Sequence, residues 1–193
     1  LDKIRDYGEL DAIVFNGTED SGNKKAVMRK RDNCIGTVVC GKDYLVKCYR
    51  NRNLSVEACL YMYRRAFLLE NELCFKEGIL HEDVEFTPRA LLLAERVLET
   101  SEQLYHYVIR EGSISTSKNK EKNIRDLFQT LQELNELADQ QDEELCRWMK
   151  NAVVNSYLNM VYEARMYRKE YRKLLNKKFL FGKAATKYNR LRV

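Results

Sequence analysis

Phe75-Lys-Glu-Gly-Ile-Leu-His-Glu-Asp-Val-Glu-Phe86 is the stretch on which the reading of this chain turns. It sets a short apolar, strand-like run ahead of a carboxylate pair, Glu82-Asp83, and the pair ahead of an amphipathic segment. In that segment Phe86, Ala90, Leu93, Ala94 and Val97 recur at three- and four-residue steps, which predicts a helix over 85–96. Thr87-Pro88 fits its first turn, where a missing N–H leaves no bond unmade. Acids are favoured at such a start, because they accept from free N–H groups and oppose the helix dipole. As a bare dipeptide, Glu82-Asp83 therefore says almost nothing about chemistry.

Working outward, Asp11-Ala-Ile-Val-Phe-Asn16 is a continuous apolar run closed by Asn16-Gly17, the mark of a buried strand. A helix end closed by Gly8 precedes it. Residues 18–25 read as a turn and 26–31 as a second strand. Residues 41–52 fit helix better than strand, and 58–69 begin as a strand that becomes helical near Arg65. Residues 96–100 and 103–109 read as two strands. Beyond Asn119 the pattern changes. Ile124, Leu127, Phe128, Leu131, Leu134 and Leu137 form one helical stripe, and Leu145, Trp148, Met149, Ala152, Val153 and Val161 form another, predicted to run from Gln141 to about Leu180. Neither contains glycine or proline. Two antiparallel helices are expected. The predicted division is a mixed α/β part, 1–117, and an all-helical extension, 118–193.

The 193 residues carry 45% hydrophobic and 33% charged side chains, enough for one domain with a highly charged helical appendage. No apolar run reaches bilayer length. The six cysteines lack any C-x-x-C pair and read as reduced thiols of a cytoplasmic protein. His81 and His106 show no metal-ligand spacing, so no metal site is expected. The net charge of +5 is unevenly placed: from Val161 on there are eleven Lys/Arg against two Glu. Arg165, Arg168, Lys169, Arg172 and Lys173 alternate there with Tyr167, Tyr171, Leu174 and Leu175. A solvated helix face explains this, and so does adsorption of 161–193 to an anionic membrane surface. No motif that reads nucleic acid accompanies the charge.

The neighbourhood gives the dipeptide its meaning. Tyr63-Arg64-Arg65-Ala66-Phe67-Leu68-Leu69-Glu70-Asn71 and Phe75-x-Glu77-Gly78 come before the pair. The strand Leu104-Tyr105-His106-Tyr107 and Arg110-x-Gly112-Ser113-Ile114-Ser115 follow it. This ordered run, from Tyr61 to Thr116, resembles the acceptor-side half of a family 2, GT-A-type (Rossmann-like) glycosyltransferase. The resemblance implies an inverting enzyme of surface polysaccharide synthesis, with a nucleotide-sugar donor and a glycan or lipid-linked acceptor. It implies Asp83 as general base and Glu82 as its neighbour on acceptor hydroxyls. Arg110, Ser113 and His81 follow as substrate-binding candidates, with Arg110 suited to a diphosphate. His106 reads as a strand histidine satisfied by its neighbours.

The resemblance also implies a divalent metal, Mn²⁺ or Mg²⁺, in a full-length parent, held by an Asp-x-Asp that this sequence lacks; Asp2, Asp6 and Asp11 do not replace it. The expectation is thus a fragment without its donor half, inactive by itself, binding no metal, peripheral at the inner face of the cell membrane, and prone to pair through the strand that would meet the absent half. The rival expectation is a non-catalytic helical module for protein interaction or membrane-surface binding.

Overall fold

The computed structural model describes residues 5–20, 25–27, 32–108, 121–167, 177–180, 182–186 and 189. The fold is mixed α/β. The chain forms two compact units, one of Leu1–Lys76 with Phe86–Thr116, the other of Glu77–Glu85 with Ser117–Val193.

The first unit is built on a sheet. Strand β1 (Ala12–Asp20) lies parallel to β5 (Val97–Val108), while β2 (Lys25–Val27) and β4 (Tyr61–Tyr63) run antiparallel along its other edge, at Thr18–Asp20 and Ala12–Val14 respectively. Strand β3 (Val38–Val39) adds to the far side of β5 at Val97 and Leu98. The apolar run of the β1 sequence is longer as a strand than its hydrophobic part, because Thr18 to Asp20, the start of the turn expected at 18–25, keep pairing with β2 and β5. Only its first half is core: Ala12, Val14 and Phe15 are buried, as are Val97 and Leu98 opposite. The two strands expected at 96–109 are one, β5, whose register against β1 shifts between Val14 and Gly17. The intervening Thr100, Ser101 and Glu102 bulge out of the ladder, so their polar sequence looks like a break without being one.

Helix α1 (Gly41–Asn51) buries Tyr44, Leu45 and Cys48, the spacing of one helix face. Its first residue must be glycine: a Cβ there would stand 1.8 Å from the carbonyl oxygen of Leu91. Helix α2 (Arg65–Glu70) follows β4 directly. Asn71 closes it, its side-chain amide donating to the carbonyl of Phe67 at 2.9 Å. Tyr61 stacks on Tyr63, Tyr63 meets Phe86 edge-on, and Phe75 lies 4.3 Å from Phe86 between ring centroids.

Helix α3 spans Glu82–Leu93, so it starts three residues before the predicted start at residue 85. Pro88 is therefore not in the first turn but inside the helix, where it leaves the carbonyl of Val84 without its usual donor. The periodic residues start only where burial starts, at Phe86; the acids before them belong to the same helix for electrostatic reasons.

In the second unit, α4 (Glu121–Asp139) and α5 (Glu143–Tyr167) pack antiparallel: Asp139 pairs with Lys150, and Phe128 meets Tyr157 at 5.7 Å. Ile124, Leu131, Leu134, Val153, Val154, Tyr157 and Met160 make their shared core, joined by Leu180. The expected continuation of α5 to Leu180 fails. Residues 168–176 lie outside the described ones, and Lys177–Leu180 is a 3-10 turn. A continuous helix would carry Phe179 about 33 Å past Tyr157 at 1.5 Å per residue, yet the two rings are 5.6 Å apart. The chain has returned to its own core. Buried Asn151 then receives the N–H groups of Ala185 and Thr186 at 3.1 and 3.2 Å. No helix among the described residues is long and apolar enough to cross a membrane.

Candidate functional site

The carboxylates singled out in the sequence occupy the first turn of α3. The strand-like run before them is not a strand but a tight turn, and two of its residues show why. Gly78 has φ 77 and His81 φ 63, both left-handed. Two such residues within four positions cannot belong to an extended strand. Gly78 is the glycine of the Phe-x-Glu-Gly motif, and its lack of a Cβ allows this backbone. His81 adopts it with a side chain, which is uncommon and strained, and such strain collects at functional sites. The carbonyl of His81 accepts from Val84 N–H at 3.1 Å, opening the helix.

Glu82 is exposed, and His81, Asp83 and Glu85 are half-buried. Three acids, Glu82, Asp83 and Glu85, thus share the first turn. The free N–H groups at the start of α3 are potential hydrogen-bond donors to these side chains. Chemically, an ionised carboxylate on a fixed helical turn can accept a proton from a hydroxyl brought within hydrogen-bond reach. Its exposed neighbour can accept hydrogen bonds from other hydroxyls of the same molecule.

The turn is tied to α4. Leu80 N–H donates to Oδ2 of Asp126 at 2.8 Å, and the ammonium of Lys122 donates both to that carboxylate and to the carbonyl of Gly78, the latter at 2.7 Å. Asp126 is 8% exposed. Burial works to raise its carboxyl pKa, but the bonds from Lys122 and Leu80 outweigh it and hold the value below the usual carboxylate range. Sequence reasoning missed both residues. The available signal was an acid on the buried flank of an amphipathic helix, where Asn123, Asp126 and Thr130 run beside Ile124 and Leu131. A buried acid requires a partner.

Other candidates separate from this turn. Arg110 and Ser113 lie outside the described residues. His106 sits in β5, its Nδ1 2.8 Å from the Thr18 hydroxyl and its Nε2 3.8 Å from Asp20, a strand histidine with neighbours in β1. All six cysteines are free thiols. Cys34 faces the buried carboxylate of Glu99, with its Sγ 3.8 Å from Oε2. Burial, reinforced by that negative charge, pushes the Cys34 thiol up to about 11, so it is protonated at neutral pH and no nucleophile.

The divalent metal that the resemblance implies finds no ligand set among the described residues. Among the described residues no group of three His, Cys, Asp or Glu side chains could hold an ion. The acid nearest the start of β1 is already committed: Asp11 receives Arg64 at 2.9 Å on one oxygen and the N–H groups of Glu95 and Arg96 at 2.9 and 3.1 Å on the other. Compared with protein-family models and with curated proteins, the chain finds no match.

Proposed function

We propose that this chain carries the acceptor side of an inverting, GT-A-type glycosyltransferase, with Asp83 as general base. The observation that carries the reading is the placement of Glu82 and Asp83 in the first turn of a helix, directly behind the strained His81. The ordered run from Tyr61 to Thr116 supports it from the sequence side.

In the proposed reaction, Asp83 takes the proton of an acceptor hydroxyl while that oxygen attacks the anomeric carbon of a nucleotide sugar. The new C–O bond forms on the face opposite the diphosphate, the bond to the diphosphate breaks, and the nucleoside diphosphate leaves with both electrons. Configuration inverts. Glu82, exposed beside the base, accepts hydrogen bonds from the acceptor's other hydroxyls. The acceptor class is a glycan or lipid-linked glycan, and the diphosphate is left to groups outside the described residues.

The test is sugar transfer from a panel of nucleotide sugars by the full reading frame in which these residues occur, with the product anomer determined by NMR. The expected product is inverted. Asp83→Asn is expected to lower kcat by about 10³-fold while donor affinity stays within about twofold, since the base touches the acceptor and not the nucleotide. A retained anomer, or turnover undiminished in Asp83→Asn, overturns the reading.

A further inference from the structure

The turn that presents the acids is hydrogen-bonded to α4. Two left-handed residues, Gly78 and His81, prevent a regular ladder between positions 78 and 81. Its backbone is instead satisfied from outside on both its polarities. The carbonyl of Gly78 takes a hydrogen bond from the Lys122 ammonium, and the N–H of Leu80 gives one to the Asp126 carboxylate. A carbonyl is best met by a cation and an N–H by an anion. One ion pair, four residues apart on α4, supplies both and neutralises itself. Ordinary pairs at this spacing lie on open helix faces and do little. This one differs: its acid is buried, and its remaining donor and acceptor capacity is aimed at the turn.

We infer that Lys122 and Asp126 are positioning residues for the Asp83 base, a clasp that fixes the 78–81 turn and through it the first turn of α3. The inference rests on the glycosyl-transfer reading above. A base displaced by about 1 Å loses about 10²-fold in rate, and a turn with strained backbone needs its supports to stay in place.

The test pairs a structural measurement with a kinetic one, both on the full reading frame. Asp126→Ala removes the acceptor of Leu80, and Asp126→Asn keeps an oxygen there without the charge. Lys122→Met removes the donor to Gly78 at a site whose side chain is 55% exposed, and Lys122→Arg retains it. Amide exchange at Leu80 is expected to speed up by about tenfold or more in Asp126→Ala, with exchange in the α5 core unchanged. The kcat is expected to fall by about 10²-fold in Asp126→Ala and less in Asp126→Asn. It should fall by about tenfold in Lys122→Met and recover to within about threefold of wild type in Lys122→Arg. The donor KM is expected to stay within about twofold throughout. Unchanged Leu80 exchange in Asp126→Ala sinks the clasp itself, whatever the activity. Faster exchange with an unaltered kcat sinks the positioning role. If wild type transfers no sugar while exchange behaves as expected, the clasp stands as structure, and the glycosyl-transfer reading falls together with the role assigned to it.

Discussion

Gly78 and His81 have nearly the same backbone conformation and opposite relations to it. For Gly78 nothing lies within 4 Å of an added Cβ, so Gly78→Ala would meet no steric obstacle beyond its own left-handed φ. The expected loss is about 1–2 kcal/mol, the intrinsic penalty of that conformation for an L-residue. His81 already bears that penalty. His81→Gly relieves it, and about half the gain is offset by the greater freedom of glycine in the unfolded chain. A net change between zero and about 1 kcal/mol in favour of folding is expected from urea midpoints, together with slower sugar transfer as the turn before Asp83 loosens. A loss of more than about 1 kcal/mol would show that the imidazole contributes contacts that outweigh the strain, and would remove His81 from the argument for a functional turn. Stability and activity moving in opposite directions is the signature that distinguishes a strained functional residue from a merely structural one.

At the scale of elements, the sheet is stapled by a residue at the edge of β1. Asp11 accepts from Arg64 beyond β4 and from the two N–H groups that lead into β5, while its own carbonyl accepts from Arg64 N–H at 2.9 Å. Burial acts to raise its carboxyl pKa, but the Arg64 bond and the two backbone donors hold it below 3.8. With the folded value below the unfolded one, the unfolded chain binds the extra proton. The contribution of Asp11 is therefore fully present above about pH 4 and is lost as pH falls through the folded value. Asp11→Asn is expected to destabilise by about 1–3 kcal/mol at pH 7, and the difference from wild type should shrink as pH falls below about 4. A difference independent of pH would mean the charge is immaterial. Asp126 has a shift of the same sign, so the wild-type curve keeps an acid limb in this variant.

How far these elements were legible depended on where their information lies. Residues 41–52 fitted a helix, and Tyr44, Leu45 and Cys48 are the buried face of α1; the strand expected from residue 58 begins only at Tyr61, after a 3-10 turn over Ala58–Leu60. Strand β5 was read as two because Ser101 and Glu102 bulge into solvent, and only the partner strand shows that the ladder resumes. The start of α3 was misplaced because acids and a left-handed histidine have no hydrophobic period. The carboxylate pair was singled out through its order among neighbours. Its support was not, since Lys122 and Asp126 look like an ordinary i,i+4 pair until their partners 44 and 46 positions upstream are known.

The whole molecule makes that separation consequential. The helical unit is discontinuous: nine residues, Glu77–Glu85, belong with α4 and α5, although the chain between them and Ser117 builds the rest of helix α3, from Phe86, and strand β5 of the sheet unit. A change of composition marks only contiguous pieces, and a short turn held by distant helices leaves no such mark. The helical unit is thus incomplete when cut at Ser117: Asp126 keeps Lys122 but loses the Leu80 N–H, and Lys122 loses the Gly78 carbonyl. A thermodynamic cycle measures what the missing turn contributes. In the intact chain, Asp126→Asn weakens a charge-assisted bond from Leu80 at a site that is 8% exposed. In a 117–193 fragment there is no such bond to weaken, and removing a partly unsatisfied buried charge recovers desolvation energy. Chemical denaturation of the four proteins is expected to show the substitution destabilising in the intact chain and nearly neutral in the fragment, with a coupling of about 1–2 kcal/mol. Equal effects in both would mean that the turn bearing Glu82 and Asp83 is held by something other than α4. The support proposed for Asp83 would then have to be sought elsewhere in the chain.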